Sequence, residues 1–458
     1  MTSGVESKRF VKAADSAFRG RRRSRMRAAA AIAVTVAFVA AGCSSSKTAK
    51  SSSTTVAGSA GTSATTTSAG AAPSSGSGGT TGITSNSVTI GQLADVSGPV
   101  PGLFQGAENG LAAWAAYVNS TGGINGRKVN VKFVDSGLNC TNYTDGIKSL
   151  AGDSFALVGT FSLVDACGEQ TLKADPGLPD IEAAILNPAL DSYPNEWSPL
   201  PTTPGDATTV YQYVKDKYGL SAVQHAASLW GSTEQFDYNE QAAAMDSIGY
   251  KIIYNRGFSP LETNYTADIL RMKNEGVQVV DETDDAVGNI ADFLNQAAQQ
   301  NFHPKAVISS TAYDTSFFKL LGNPSYADNV VIYLEQAMYL GQDESNVPEI
   351  GTMTQWVQKV HPGATMNLFT VDGWAAGLLF QQALEKAGSN PTQASLTSAL
   401  KGITSFTADG LLPTENISGH KISVCDVIVT TKGTSFVRTD PSTSGFECNG
   451  TYVPYTGS

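Results

Sequence analysis

From residue 88 onward the apolar positions keep switching between two periods. Alternating stretches such as "VTIGQLA" (88–94) read as strands, and stretches with apolar residues three and four apart, such as 106–120, read as helices. The order is strand 88–94, helix 106–120, strand 129–135, helix 142–152, strand "FALVGT" (155–160) and helix 165–174. A second block follows the Pro-rich break "SPLPTTPGD" (198–206). It runs helix 207–218, strand 223–230, helix 234–248, strand 250–256, helix 263–275, strand 277–281, helix 287–300 and strand "AVISS" (306–310). Regular strand–helix alternation predicts parallel sheets with right-handed crossovers, and two blocks around a break predict two α/β lobes. Open parallel sheets bind ligands beyond the carboxyl ends of their strands, which places one site in the cleft between the lobes.

The glycines of "GGINGRKVNVKFVDSG" (122–137) raise the alternative of a phosphate loop. Phosphate loops run strand, glycines, helix, so that the helix N-terminus faces the anion. Here the helical stretch "AENGLAAWAAYVNS" (107–120) comes first and the strand "VNVKFV" (129–134) last. Gly122 and Gly123 therefore predict a helix C-cap, and Arg127 a surface residue beside the turn. The chain has no G-x-S-x-G, H-E-x-x-H or Walker pattern. His225, His303, His361 and His420 share no motif, and no cysteine has a second within four residues. No enzyme, cofactor or metal site is expected. The acids of "DETDD" (281–285) have two readings: a solvated loop, or a strand end where Asp284 or Asp285 offers a counter-charge to a cationic ligand. As neighbours in one loop they do not make the flanking pair of a glycosidase. Trp230, at the end of a strand, reads equally as a cleft or a core residue. The apolar residues of 372–386 recur at helical spacing and read as core.

The N-terminus changes the picture of compartment. "RGRRRSRMR" (19–27) precedes the apolar run "AAAAIAVTVAFVAA" (28–41), then Gly42 and Cys43. That is the layout of a secretory signal, with translation starting at Met1 or Met26; the run would cover about 21 Å as helix, short for a membrane span. Residues 44–84 are almost all Ser, Thr, Gly and Ala, a flexible tether with a reach of roughly 35 Å. The first 42 residues carry nine Lys and Arg against two acids, which leaves −18 on the rest of a chain whose total is −11. So acidic a body repels nucleic acid and anionic lipid surfaces. Cys140, Cys167, Cys425 and Cys448 are an even set in an exported chain and imply two disulfides. Three pairings are possible; proximity favours Cys140–Cys167 and Cys425–Cys448.

Several stretches resemble the solute-binding proteins of branched-chain amino-acid ABC transporters. They are "AENGLAAWAAYVNSTGGINGRKVNVKFVDSGLNC" from 107, "DVSGPVPGLF" (95–104), "FALVGTFS" (155–162), "GLPDIEAAILNP" (177–188), "DGWAAGLLFQQALEKAGS" (372–389) and "FTADGLLP" (406–413). The likeness runs over about 88–440, and "VAAGC" (39–43) resembles a bacterial lipobox with Ala40 where Leu is usual. It implies a type I periplasmic-binding fold: α/β, two Rossmann-like lobes, three hinge crossovers and an interlobe cleft. The division would be a signal at 1–42, a tether at 43–84, one lobe at 85–204 plus about 335–410, and the other at 205–334 plus about 411–458. Cys43 would be lipidated; a plain secretory signal that includes a cysteine is the other reading. Family members commonly bridge a cysteine after the second strand to one after the third; Cys140 holds the first position, and Cys167 lies a few residues past the second.

The resemblance also implies a ligand set. Ser97 and Phe104 lie on the first ligand loop. Phe161, Ser162 and Leu163 follow the third strand, and Ala184 and Leu186 follow the fourth, Leu186 replacing a hydroxyl. Phe236 falls where an aromatic packs on the ligand, and Ala286 near the register of another. Ser310 and Thr311 stand where relatives place the acid that meets an ammonium group, and neither is acidic. An amino acid or related small solute would be captured and delivered to an ABC permease. The protein would be a monomer outside the cytoplasm, held to the membrane by its lipid. The alternative is a ligand-sensing receptor subunit of the same fold.

Overall fold

Two sheets carry the architecture, and both repeat one strand order. The computed structural model describes residues 79–457, apart from 188–189, 191–192, 202–203, 233 and 284–285. The first sheet joins β1 (Ser87–Ala94), β2 (Lys128–Asp135), β3 (Ala156–Thr160), β4 (Asp180–Glu182) and β5 (Glu196–Trp197) in the order β2-β1-β3-β4-β5, all parallel. β3 is buried throughout, as a central parallel strand covered on both faces must be. After a short β6 (Gly205–Ala207) the second sheet takes β7 (Ala226–Gly231), β8 (Ile252–Phe258), β9 (Val279–Thr283), β10 (Ala306–Ser309) and β11 (Val330–Leu334) in the order β8-β7-β9-β10-β11. β12 (Val427–Lys432) and β13 (Ser435–Asp440) extend it antiparallel, and β14 (Tyr452–Pro454) pairs antiparallel with β6.

Helices fill the crossovers. α1 (Gln105–Ser120), α2 (Cys140–Ala151) and α3 (Glu169–Ala174) serve the first sheet. α4 (Thr209–Tyr218), α5 (Gln235–Ser247), α6 (Thr266–Glu275) and α7 (Val287–Gln299) serve the second. After β11 come α8 (Glu349–Val360), α9 (Leu368–Lys386) and α10 (Gln393–Leu400). α9 packs along α1, so the chain returns to the first sheet before β12 rejoins the second, and it passes between them three times. Two glycines allow the helix pair to close: a Cβ on Gly110 would stand 2.2 Å from the Thr370 carbonyl oxygen, and one on Gly373 2.3 Å from that of Ala107. Trp114, Leu111 and Val118 of α1 and Trp374, Leu379 and Phe380 of α9 bury their side chains around this seam.

The elements expected as far as residue 310 occur in the expected order, with ends displaced by a few residues, but β4, β5 and β6 stand between helices 165–174 and 207–218, where the periodicity predicted no strand. Helix 165–174 divides into a 3-10 turn, Asp165–Gly168, and α3. Gly122 and Gly123 follow α1 at positive φ, and the Gly123 N–H donates to the Val118 carbonyl, closing the helix. Arg127 is a correction. Expected at the surface, it is 8% exposed, with Nε donating to the Thr84 carbonyl at 2.8 Å and Nη2 to that of Ser389 at 2.6 Å. Buried carbonyls accept from a guanidinium as readily as water does, and these partners lie too far along the chain for a local pattern to show them. Cys140 pairs with Cys167 and Cys425 with Cys448. Among the described residues no helix is long and apolar enough to cross a membrane; the signal, Cys43 and most of the tether lie outside them.

Candidate functional site

In a sheet ordered 2-1-3-4-5, the crevice lies beyond the carboxyl ends of strands 1 and 3, where the connections leaving them turn to opposite sides. Both sheets have that order, and the loops after β1, β3 and β4 meet those after β7, β9, β10 and β11 around a cavity of about 230 Å³.

The wall from the first sheet is apolar. Phe104 and Phe161 stack with centroids 4.2 Å apart, and Phe369, from the first turn of α9, meets them edge-on at 5.0 and 5.4 Å. Val100, Leu103, Leu163, Ala184, Ile185, Leu186 and Leu368 complete the surface. Asp95, fully buried at the end of β1, fixes the loops behind it: its carboxylate accepts from Leu138 N, Leu163 N and Ser162 Oγ, each at 2.9 Å, and from Ser136 Oγ. Asp135 does the same at the end of β2. Burial pushes its carboxyl up, but hydrogen bonds from Ser97, Val96 and Gly137 outweigh that and hold it below the usual value.

The wall from the second sheet is acidic. Glu234, Asp237, Glu240 and Gln241 are spaced three or four apart from just before α5 into its second turn, which puts them on one face. Glu240 Oε1 accepts the Gly205 N–H at 2.5 Å. Asp206, Tyr333, Glu335, Gln336 and Asp372 face the same space. Asp372 is buried, which pushes its carboxyl well above the usual range despite a 2.9 Å hydrogen bond from Gln336 Nε2. Among the described residues, none of the cavity lining is Lys, Arg or His.

Of the residues expected at the site, Phe104, Phe161, Leu163, Ala184, Leu186, Ser310 and Thr311 line the cavity, as does Ala286. Four do not. Ser97 is exposed, and its backbone N–H serves Asp135. Ser162 is buried with its hydroxyl turned to Asp95. Trp230 stacks on Tyr238 at 5.0 Å, and Phe236 meets Tyr455 edge-on at 5.9 Å. Each has a hydrogen bond or ring partner within its own lobe that holds it off the lining. Asp284 and Asp285 lie outside the described residues. The acid face of α5 left a trace in the spacing of "EQFDYNEQ" (234–241). Phe369 left none, because it reaches the site from a helix two hundred residues after its ring partners.

A family model described as periplasmic binding protein matches residues 87–430. Solved structures with the same fold include a fatty acid ABC transporter substrate-binding protein from Thermomonospora curvata, 17% identical with a TM-score of 0.66, covering 78% of this chain and 93% of its own. Another is an ABC transporter solute-binding protein from R. palustris in complex with benzoate, 14% identical, TM-score 0.64, covering 81% and 98%. A third is the branched-chain amino acid transporter substrate-binding protein from Streptococcus pneumoniae in complex with isoleucine, 13% identical, TM-score 0.60, covering 77% and 99%. No curated protein matches the chain by sequence. At these identities the likeness is one of fold.

Proposed function

Because this chain belongs to the periplasmic binding protein family, the type I solute binders of ABC transporters, we propose that it is a lipid-anchored binding subunit of an importer, with an apolar amine as its solute. Residues 1–42 direct export, Cys43 carries the lipid, and 43–84 tether a clamp of two lobes, 85–204 with about 335–410 and 205–334 with about 411–458. The solute enters the cleft, the lobes close on it, and the closed form is what the permease recognises. Closure needs only that the ligand bind the closed state more tightly than the open one.

One observation carries the choice of solute: three phenylalanines face a wall of carboxylates, and the described lining holds no cationic side chain. An aromatic or aliphatic body would rest on Phe104, Phe161 and Phe369 while its ammonium group met the acids of α5. Solutes such as benzoate or a fatty acid bring a carboxylate, which this field repels.

Thermal shift of the purified protein tests the reading, with phenethylamine, alkylamines, quaternary ammonium compounds, isoleucine, benzoate and octanoate as ligands. An amine at a hundred times its Kd is expected to raise Tm by about 3–4 °C, corresponding to about 2.7 kcal/mol. Asp237→Asn and Phe369→Ala are expected to remove most of that shift. A shift with isoleucine or benzoate, and none with any amine, would reject the solute class. A response to none would speak against the importer role.

A further inference from the structure

The first sheet has a second polar centre, on the face that α2 and the turn Asp165–Gly168 cover. Alternation along β4 puts Asp180 and Glu182 on one face. Register places Glu196 of β5 beside Asp180, and Thr160 of β3 beside Glu182. Carboxylate oxygens of Asp180, Glu182 and Glu196 lie within 4.8 Å of one another. All three residues are at most 1% exposed, and Asp165 is 3% exposed. The apolar cluster that contains Tyr143 also holds Leu93, Ile147, Leu157, Leu172 and Leu178, and register sets Leu157 beside Asp180. None of the four acids lines the cleft.

Such a cluster is unfavourable unless something neutralises it, since burying even one ionised carboxylate in apolar surroundings costs much of a domain's stability. The charges acting on Glu182, after burial itself, are those of Asp165, Asp180 and Glu196, all negative. Tyr143 points independently to a missing partner. It is fully buried, its hydroxyl has no hydrogen-bond partner, and the charges that act on it are those same four carboxylates. Glu182 Oε1 is likewise buried without a partner.

We propose that Asp180, Glu182 and Glu196 bind one Ca²⁺ ion, with Asp165, Thr160 and the Tyr143 hydroxyl around them. The donors are all oxygen, which suits a hard cation. Oxygens about 2.4 Å from one ion can stand no further apart than about 4.8 Å, the limit within which these three fall. Mg²⁺ holds its waters and prefers a shorter bond, so a site this deeply buried favours the larger ion. The ion would join β3, β4 and β5 just before Ala184–Leu186, and so stiffen one wall of the cleft.

The test uses the intact disulfide-bonded protein, stripped of metal with EGTA and returned to pH 7. Calorimetric titration is expected to show one Ca²⁺ per chain, a rise in Tm of several degrees, and at least tenfold weaker binding of Mg²⁺. Glu182→Gln and Glu196→Gln are expected to abolish the response. Absence of Ca²⁺ binding to folded wild-type protein would overturn the proposal, whatever the variants do. So would Ca²⁺ binding that survives Glu182→Gln. Higher stability of Glu182→Gln than of wild type at every Ca²⁺ concentration would do the same, because it would mean that protons neutralise the cluster.

Discussion

Glu415 shows how a single buried side chain couples this fold to pH. It is 1% exposed, its backbone pairs with Phe406, and Oε2 accepts the Ser423 N–H at 3.2 Å. Burial above all, and then the charge of Glu335, push its carboxyl up to about 8. Below about pH 4.5 the group is protonated in both folded and unfolded chains, and the stability it gives is fully present. As pH rises towards 8 the unfolded chain has released the proton and the folded chain still holds it, so that stability is lost. The slope is roughly 1.4 kcal/mol per pH unit for one proton. Glu415→Gln is expected to fall behind wild type at pH 4.5 and to gain on it steadily up to pH 8. Urea unfolding at several pH values would show this, and a constant difference would mean that Glu415 ionises normally in the fold. The same scale explains the site residues that sequence misplaced. Ser162 and Ser97 have the small polar character of ligand contacts, but Asp95 accepts the Ser162 hydroxyl and Asp135 the Ser97 backbone N–H. A hydroxyl's partner is a matter of distance, which residue type does not encode.

At the scale of elements, the seam between α1 and α9 fixes where Phe369 stands relative to Phe104, since both lie in or beside the first turns of these helices. The seam closes only because Gly110 and Gly373 have no side chains. Gly373→Ala would press a methyl group on the Ala107 carbonyl. It should cost about 1–3 kcal/mol, the usual range for overpacking, and weaken ligand binding by moving the aromatic wall. Equal stability to wild type in urea would show that the helices separate without penalty. Most secondary structure was legible as far as residue 310 because each longer strand and helix there carries its own period. β4 to β6 and β11 to β14 were not read from periodicity; β4 to β6 are only two or three residues long, and β12 to β14 are edge-lying or antiparallel pieces whose partners decide them.

For the whole molecule, the proposal joins an anchor, a tether and a clamp. Cys43→Ser is expected to move the protein from the membrane fraction to the soluble exported fraction, without changing the thermal shift that a ligand produces. Retention on the membrane would reject lipidation at this cysteine. Sequence by itself determined the alternation of elements, the two α/β blocks, the net acidity, the two disulfides and the type I periplasmic-binding fold. The first four follow from local periodicity, charge count and cysteine parity, each readable without knowing what lies nearby; the type I fold follows from the resemblance of whole stretches such as 107–140 to a known family. Only the tertiary structure decided which residues share the cavity. It brought Phe369 to Phe104 and Phe161, set the acids of α5 opposite them, turned Trp230 and Phe236 to other rings, buried Arg127, and gathered Asp180, Glu182 and Glu196. A cleft is made by strand ends and helix starts far apart along the chain, so its chemistry arises from distances that no local pattern contains.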